Sequence, residues 1–260
     1  MSVVPFNGPW FAYIALLTAL GVWLHFALRH RPRHVKTRVL SSIAIGNVVV
    51  YTAFTFQSIL RPDYPNITLW QNLPFHFCNL MAWALIFAPL VPWQWLRALC
   101  ALPGVLAGVL ALVSPVDDYI GRPWFSLAAL GFYGVHTVNA ILGSLLATLG
   151  FFEPTWRQAV RSVFYFGAMA LAVFPINLAL RVWLDPNTNY FYEFAPENAQ
   201  ILQLFHDWVP VPMVYTLMLA PIAFGGCLLL AGIYALAGRL LGHPAGRPPS
   251  PTRLEDQATV

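Results

Sequence analysis

The chain has 260 residues, of which 58% are hydrophobic and 9% are charged, with a formal net charge of +4. A soluble globular domain carries roughly 25% charged residues, so this composition excludes that class and predicts an integral membrane protein. The basic residues are spread over short loops, which argues against a nucleic-acid partner. The three cysteines have no metal-ligand spacing, so neither a disulfide framework nor a metal site is expected.

Seven apolar runs could each cross a bilayer, which takes about 20 residues. They cover residues 10–28, 39–60, 73–91, 95–113, 124–149, 160–184 and 211–236. None of them alternates with the period of a strand. We therefore predict an all-α polytopic membrane protein, a seven-transmembrane-helix bundle over residues 1–242. Residues 243–260 are rich in proline, glycine and charge and are predicted to form a disordered cytoplasmic tail.

Lysine and arginine set the expected orientation. If the seven runs alternate in direction, eleven basic residues fall on one side of the membrane and three on the other. The positive-inside rule then places the N-terminus outside and the C-terminus in the cytoplasm. We expect a bacterial inner (plasma) membrane location. In this orientation, the loop over residues 185–210 lies at the outer face.

The third run begins with three polar or reactive side chains, His76, Cys78 and Asn79. Such groups are costly at membrane depth, so they indicate function or a polar partner. His76 and Cys78 are two residues apart and point about 200° from each other on a helix, so a partner for Cys78 must come from another helix. An inert buried thiol is the alternative reading of Cys78.

Two later runs also carry polar side chains. In the fifth run, Tyr133, His136 and Asn139 are spaced to form one polar stripe that should face the bundle interior. Such a stripe also suits a hydrogen-bond network between helices. In the sixth run, Asn177 follows Pro175, and we expect it to help satisfy the backbone that the proline disrupts.

Cys78 and His136 form the nucleophile-and-base combination that suits covalent chemistry. A thiol is weakly ionised near neutral pH and needs a neighbouring base, which an imidazole can supply. His76 is a second candidate base. Asn79 could hold an imidazole or bind an oxyanion.

The chain resembles a family of integral-membrane proteins that includes bacterial YwaF and animal transmembrane protein 164. The resemblance covers about residues 73–235. It rests on the segment Leu73-Pro-Phe-His76-Phe-Cys78-Asn79-Leu80, a Gly-rich fourth run that ends in Ser114-Pro115, His136 in the fifth run, and Asn189-Tyr190 with Pro196.

This resemblance implies a seven-helix acyltransferase that moves a fatty acyl chain between phospholipids and lysophospholipids. It implies that Cys78 carries the acyl group as a thioester and that His136 is the matching histidine. His76, Asn79, Tyr133, Asn139, Asn177, Asn189 and Tyr190 are the predicted substrate-binding or supporting residues. No cofactor is expected.

Other readings stay open at this stage. The chain could be a non-enzymatic receptor or transporter with a polar core, or a lipid ester hydrolase that uses the same Cys/His pair. A haem protein with His76 and His136 as axial ligands would be coloured on purification. The acyl donor, the acyl acceptor and the oligomeric state cannot be read from the sequence.

Overall fold

A computed structural model describes residues 2–60, 68–115, 120–197 and 199–240. Its helices are α1 (Gly8–Leu28), α2 (Arg33–Leu60), α3 (Phe77–Phe87), α4 (Gln94–Ala101), α5 (Pro103–Val113), α6 (Leu127–Ala129), α7 (Val135–Thr148), α8 (Trp156–Trp183), α9 (Gln200–Trp208), α10 (Val214–Leu217) and α11 (Ala220–Leu240). A π-helix, Leu130–Gly134, joins α6 to α7. Two short 3₁₀ turns cover Leu69–Gln71 and Tyr190–Tyr192. The predicted tail, residues 243–260, lies outside the described residues.

Six helical segments among the described residues are long and apolar enough to cross a membrane: α1, α2, α4 with α5, α6 through α7, α8, and α10 with α11. The predicted all-α membrane class is therefore confirmed, and the count of seven spanning helices is wrong. The third apolar run yields α3, whose 11 residues extend about 16 Å, roughly half of the hydrocarbon core.

Prolines explain why the third run falls short. Pro74 precedes the helix, which begins at Phe77, while Pro89 and Pro92 follow its last residue. A residue before proline disfavours the helical conformation, and proline itself has no N–H to donate. A sliding hydropathy window averages over prolines, so it does not detect that the helix ends at them.

Arg97 of α4 binds the C-terminal end of α3, and only 3% of its surface is exposed. Its guanidinium donates hydrogen bonds to the carbonyl oxygens of Ala88, Val91 and Phe151. One side chain from α4 thus satisfies a carbonyl directly after α3 and another in the loop beyond it, and it also binds the loop before α8.

α7 is the centre of the bundle, since it packs against α1, α2, α3, α4, α5 and α11. Glycines allow the closest approaches. A Cβ at Gly143 would lie 2.5 Å from the backbone oxygen of Cys100, and one at Gly108 would lie 2.9 Å from the backbone oxygen of His136. α4 and α5 therefore touch α7 backbone to backbone, which holds the candidate residues of α7 in place.

At the face where α1 begins, strands β1 (Ser2–Val3) and β2 (Arg122–Pro123) form a short antiparallel pair, with Ser2 opposite Pro123. Trp10 of α1 donates from its indole N–H to the backbone oxygen of Leu112 at 3.1 Å. These contacts connect the start of α1 to the end of α5 and to the loop before α6.

Candidate functional site

Cys78 is the second residue of α3, and His76 caps the helix with an extended backbone. The first N–H groups of a helix have no acceptor within the helix, and they carry the positive end of its dipole. A helix N-terminus favours a thiolate, but burial outweighs this effect and raises the pKa of the Cys78 thiol, so the sulfur needs a neighbouring base to ionise.

Two asparagines connect α3 to the centre of the bundle. The amide nitrogen of Asn139 on α7 donates to the backbone oxygen of Cys78 at 2.8 Å. The side-chain oxygen of Asn139 accepts a hydrogen bond from Asn47 of α2 at 2.9 Å. Both asparagines are buried. The chain Asn47–Asn139–Cys78 therefore fixes the position of the Cys78 backbone against α2 and α7.

His136 lies on α7 three residues before Asn139, so the two share a helix face. Its Nδ1 is 2.7 Å from the backbone oxygen of Phe132. A carbonyl oxygen can only accept, so Nδ1 carries the proton, and the Nε2 of a neutral ring keeps a free lone pair. His136 is also close enough to His76 for their charges to interact. Cys78, His76 and His136 thus belong to one region between α3 and α7.

The π-helix that precedes α7 includes Phe132, the acceptor for His136. π-Helical turns occur often at functional sites, and they change the rotation of the residues around them. Tyr133 lies within this wide turn. Tyr133 is fully buried and packs edge-on against Tyr13 of α1, with ring centroids 6.3 Å apart. His136 and Asn139 follow this turn on α7, where Asn139 contacts the backbone of Cys78.

Asn79 connects α3 to α2. Its amide nitrogen donates to the hydroxyl of Tyr51 on α2 at 2.8 Å, and Tyr51 in turn is 3.4 Å from the backbone oxygen of Asn72. Sequence reasoning missed Tyr51. Its position four residues after Asn47, on the same face of α2, is the signal that could have found it.

The segment after α8 covers the start of α3. The ring centroids of Tyr190 and Tyr192 lie 5.1 Å and 5.5 Å from that of His76. Tyr190 is fully buried; its hydroxyl donates to the backbone oxygen of Trp70 and accepts from the N–H of Leu73 at 2.9 Å. Tyr190 therefore fastens this loop to the segment that leads into α3.

Asn177 binds this loop and not the backbone near Pro175, where we expected it to act. Its amide nitrogen donates to the backbone oxygen of Tyr190 at 3.0 Å and to Glu193 Oε2 at 3.1 Å. Its side-chain oxygen accepts the Tyr190 N–H at 3.2 Å. A buried asparagine on a spanning helix thus anchors the cover of the site.

Asn189 shapes the loop from within. Its side-chain oxygen accepts the N–H of Phe194 at 2.9 Å, and its amide nitrogen donates to the backbone oxygen of Ala195 and to Glu197, both at 2.7 Å. It contacts the loop itself, so its observed role is to hold Tyr190 and its neighbours in one conformation.

Two carboxyl groups in this cover were not singled out from the sequence. Burial would raise the pKa of Asp185, but hydrogen bonds from Thr68, the Asn187 N–H and Gln71 hold it below its usual range. Burial raises the pKa of Glu193 to about 7, against the lowering effect of its hydrogen bond from Asn177. The other oxygen of Glu193 is buried without a hydrogen-bond partner.

The remaining thiols lie elsewhere. Cys100 and Cys227 are buried in apolar clusters, whereas Cys78 is partly exposed. Among the residues that the structure describes, no three His, Cys, Asp or Glu side chains are grouped as metal ligands would be. The candidate site is therefore a partly accessible thiol and two imidazoles beneath an aromatic loop.

Comparison with known proteins gives one match. Neither the curated proteins nor the solved structures include one that matches this chain. A family model described as the TMEM164 family matches residues 5–231, which is most of the chain and includes every residue of the candidate site. The chain belongs to the TMEM164 family.

Proposed function

We propose that this membrane protein is an acyltransferase that moves a fatty acyl chain between phospholipids and lysophospholipids through a thioester on Cys78. The observation that carries the proposal is the hydrogen bond from Asn139 to the Cys78 backbone. It brings the face of α7 that bears His136 against the first turn of α3. A thiol at a helix N-terminus next to an imidazole with a defined tautomer is a combination that suits nucleophilic catalysis.

In the first half-reaction, His136 Nε2 takes the proton of the Cys78 thiol as the sulfur attacks the ester carbonyl carbon of a phospholipid. The carbon–sulfur bond forms, the bond to the glycerol oxygen breaks, and the proton on His136 passes to that oxygen. The products are a lysophospholipid and an acyl thioester. The N–H groups at the start of α3 are suitable donors for the negative charge that develops on the carbonyl oxygen.

In the second half-reaction, His136 takes the hydroxyl proton of a different lysophospholipid, whose oxygen attacks the thioester. The carbon–sulfur bond breaks, and Cys78 is reprotonated. Because one oxygen ester replaces another, the overall transfer is close to thermoneutral and needs no nucleotide. A lipid-embedded site would give the acyl chain an apolar environment while the loop face keeps the headgroup hydrated.

The direct test is intact-protein mass spectrometry of the purified protein with a phospholipid donor. The proposal expects a hydroxylamine-sensitive acyl adduct that maps to Cys78 and is absent from Cys78→Ser. Cys227→Ser is the matched control, since it makes the same exchange at a buried thiol that lies next to Ser162. Full transfer activity in Cys78→Ser would disprove the thioester mechanism.

The histidines are separated by a second pair of variants. His136→Gln keeps an amide that can donate to Phe132 but removes the base, and its rate should fall by about 10²–10⁴-fold. His76→Gln should fall less if His76 only lines the site. Release of free fatty acid at the same rate with and without lysophospholipid would indicate a hydrolase and overturn the transferase assignment.

A further inference from the structure

A groove of about 550 Å³ lies between α1, α5 and α7, apart from the candidate site. It extends from Trp10 and Leu112 at one end to His25 and Thr148 at the other. Trp10 and His25 are 15 residues apart on α1, which corresponds to about 22 Å. The groove therefore follows most of the hydrocarbon core, which is about 30 Å thick. None of Cys78, His76 and His136 lines it.

One end of this groove is cationic. The guanidinium of Arg29 lies over the ring of Phe26, which lines the groove, at 4.9 Å from its centroid. The Nε of Arg29 is buried and has no hydrogen-bond partner. Lys36 Nζ is 3.4 Å from the backbone oxygen of Leu149, which directly follows the lining residue Thr148. Two cationic side chains thus flank the mouth, and one of them has an unused buried donor.

Helix dipoles of both signs meet at this mouth, since α2 begins at Arg33 while α1 ends at Leu28 and α7 ends at Thr148. The charged side chains therefore decide its potential. Arg33 lies close enough to Lys36 for their charges to interact. Neither α1 nor α2 contains an aspartate or glutamate. The cations at the mouth are therefore not neutralised by acidic residues of their own helices.

We propose that this groove is a binding site for an anionic phospholipid, with one acyl chain along α1, α5 and α7 and the phosphate between Arg29 and Lys36. An apolar slot at membrane depth suits the chain. A buried guanidinium N–H and an ammonium at its mouth suit a phosphate, which forms charge-assisted hydrogen bonds with both. The charge complementarity favours anionic over zwitterionic headgroups. The site is independent of the proposed acyl transfer.

Native mass spectrometry of the full-length protein tests this site, with phosphatidylglycerol and phosphatidylcholine as probes. We expect phosphatidylglycerol to be retained more strongly. Each cation near an anionic lipid contributes about five-fold to binding. Arg29→Gln with Lys36→Gln should therefore weaken retention about 30-fold, whereas Arg38→Gln, which removes one charge at an exposed position of α2, should not. Equal retention of both lipids would overturn the proposal. It would also be overturned if Arg38→Gln weakened phosphatidylglycerol retention as much, per charge removed, as the double variant of Arg29 and Lys36.

A second variant tests the chain-binding part of the groove. Thr18 lines the groove and is exposed to its space, so Thr18→Phe should fill the slot without removing a charge. We expect it to reduce retention of phosphatidylglycerol at least ten-fold while the thermal unfolding midpoint in detergent stays near that of the wild type. Unchanged retention in a folded Thr18→Phe protein would show that the chain lies elsewhere and would overturn the assignment.

Discussion

Replacing Asn177 with alanine should release the loop that covers the start of α3. The change removes the amide that binds Tyr190 N–H, the Tyr190 carbonyl and Glu193 Oε2. Asn177, Tyr190 and Glu193 are each 1% exposed or less, so no solvent replaces the lost partners. The loop should stay attached through the Tyr190 hydroxyl and through the hydrogen bond from Arg181 to the backbone oxygen of Thr188, but its backbone at Tyr190 would lose its bonds to α8.

The size of the effect follows from these contacts. Polar contacts within membrane bundles average about 0.6 kcal/mol, which gives about 2 kcal/mol for three bonds. Three buried groups left unpaired, at about 1 kcal/mol each, give about 3 kcal/mol. The opening equilibrium of the loop should therefore shift by about 30- to 150-fold.

Hydrogen–deuterium exchange of a peptide over residues 186–197 measures this opening, since the Tyr190 N–H is itself one of the bonds lost. Asn187→Ala is the matched control, because its exposed side chain makes none of these contacts and only its backbone N–H binds Asp185. If exchange in Asn177→Ala rises by less than about three-fold, or by no more than in Asn187→Ala, the side chain does not anchor the loop.

Three further predictions follow from the packing and the buried charges. Gly143→Ala should destabilise the bundle by about 1–3 kcal/mol in a detergent unfolding assay, because its Cβ meets a backbone oxygen of α4. Gly167→Ala, with open space around it, should be neutral or up to about 1 kcal/mol stabilising; equal effects at the two sites would refute the close contact. Arg97→Lys should cost about 2–3 kcal/mol in the same assay, because an ammonium cannot reproduce the three bonds of the guanidinium; an unchanged midpoint would contradict this. Because the folded pKa of Glu193 is raised to about 7, the folded protein holds a proton that the unfolded chain releases from about pH 4.5 upward. Stability should therefore decline between about pH 4.5 and 7, by up to about 1.4 kcal/mol per pH unit, and level off above. Glu193→Gln should lose this part of the pH dependence. If the variant and the wild type show the same dependence of stability on pH, Glu193 is not its source.

Much of the candidate site could be identified from residue types. Cys78, His76 and His136 stand out because thiols and imidazoles are unusual in apolar runs. Their grouping was harder to predict, since contact depends on how each helix is rotated. The residues before α7 form a π-helix, whose wider turn changes that rotation and cannot be seen in a pattern that assumes a regular 3.6-residue period.

The supporting contacts were decided by tertiary structure. Asn177 follows a helix proline, and local backbone chemistry predicted a local partner; its partners lie 13 and 16 residues further along the chain. Glu193 and Asp185 sit in a polar loop and look solvent-exposed in the sequence, yet both are buried. Long-range hydrogen bonds of this kind leave no periodic pattern in the sequence from which the partners could be predicted.

The sequence alone determined that the chain is a helical membrane protein, because partitioning into lipid depends on the summed hydropathy of each segment and hardly on its neighbours. Tertiary structure decided which apolar run falls short of a full span. Prolines, 3₁₀ turns and an arginine that binds carbonyls from two other segments convert the third run into a short helix that begins next to Cys78. Whether a broken backbone is tolerated at membrane depth depends on the partners available to its polar groups, and those partners exist only once the other helices have packed.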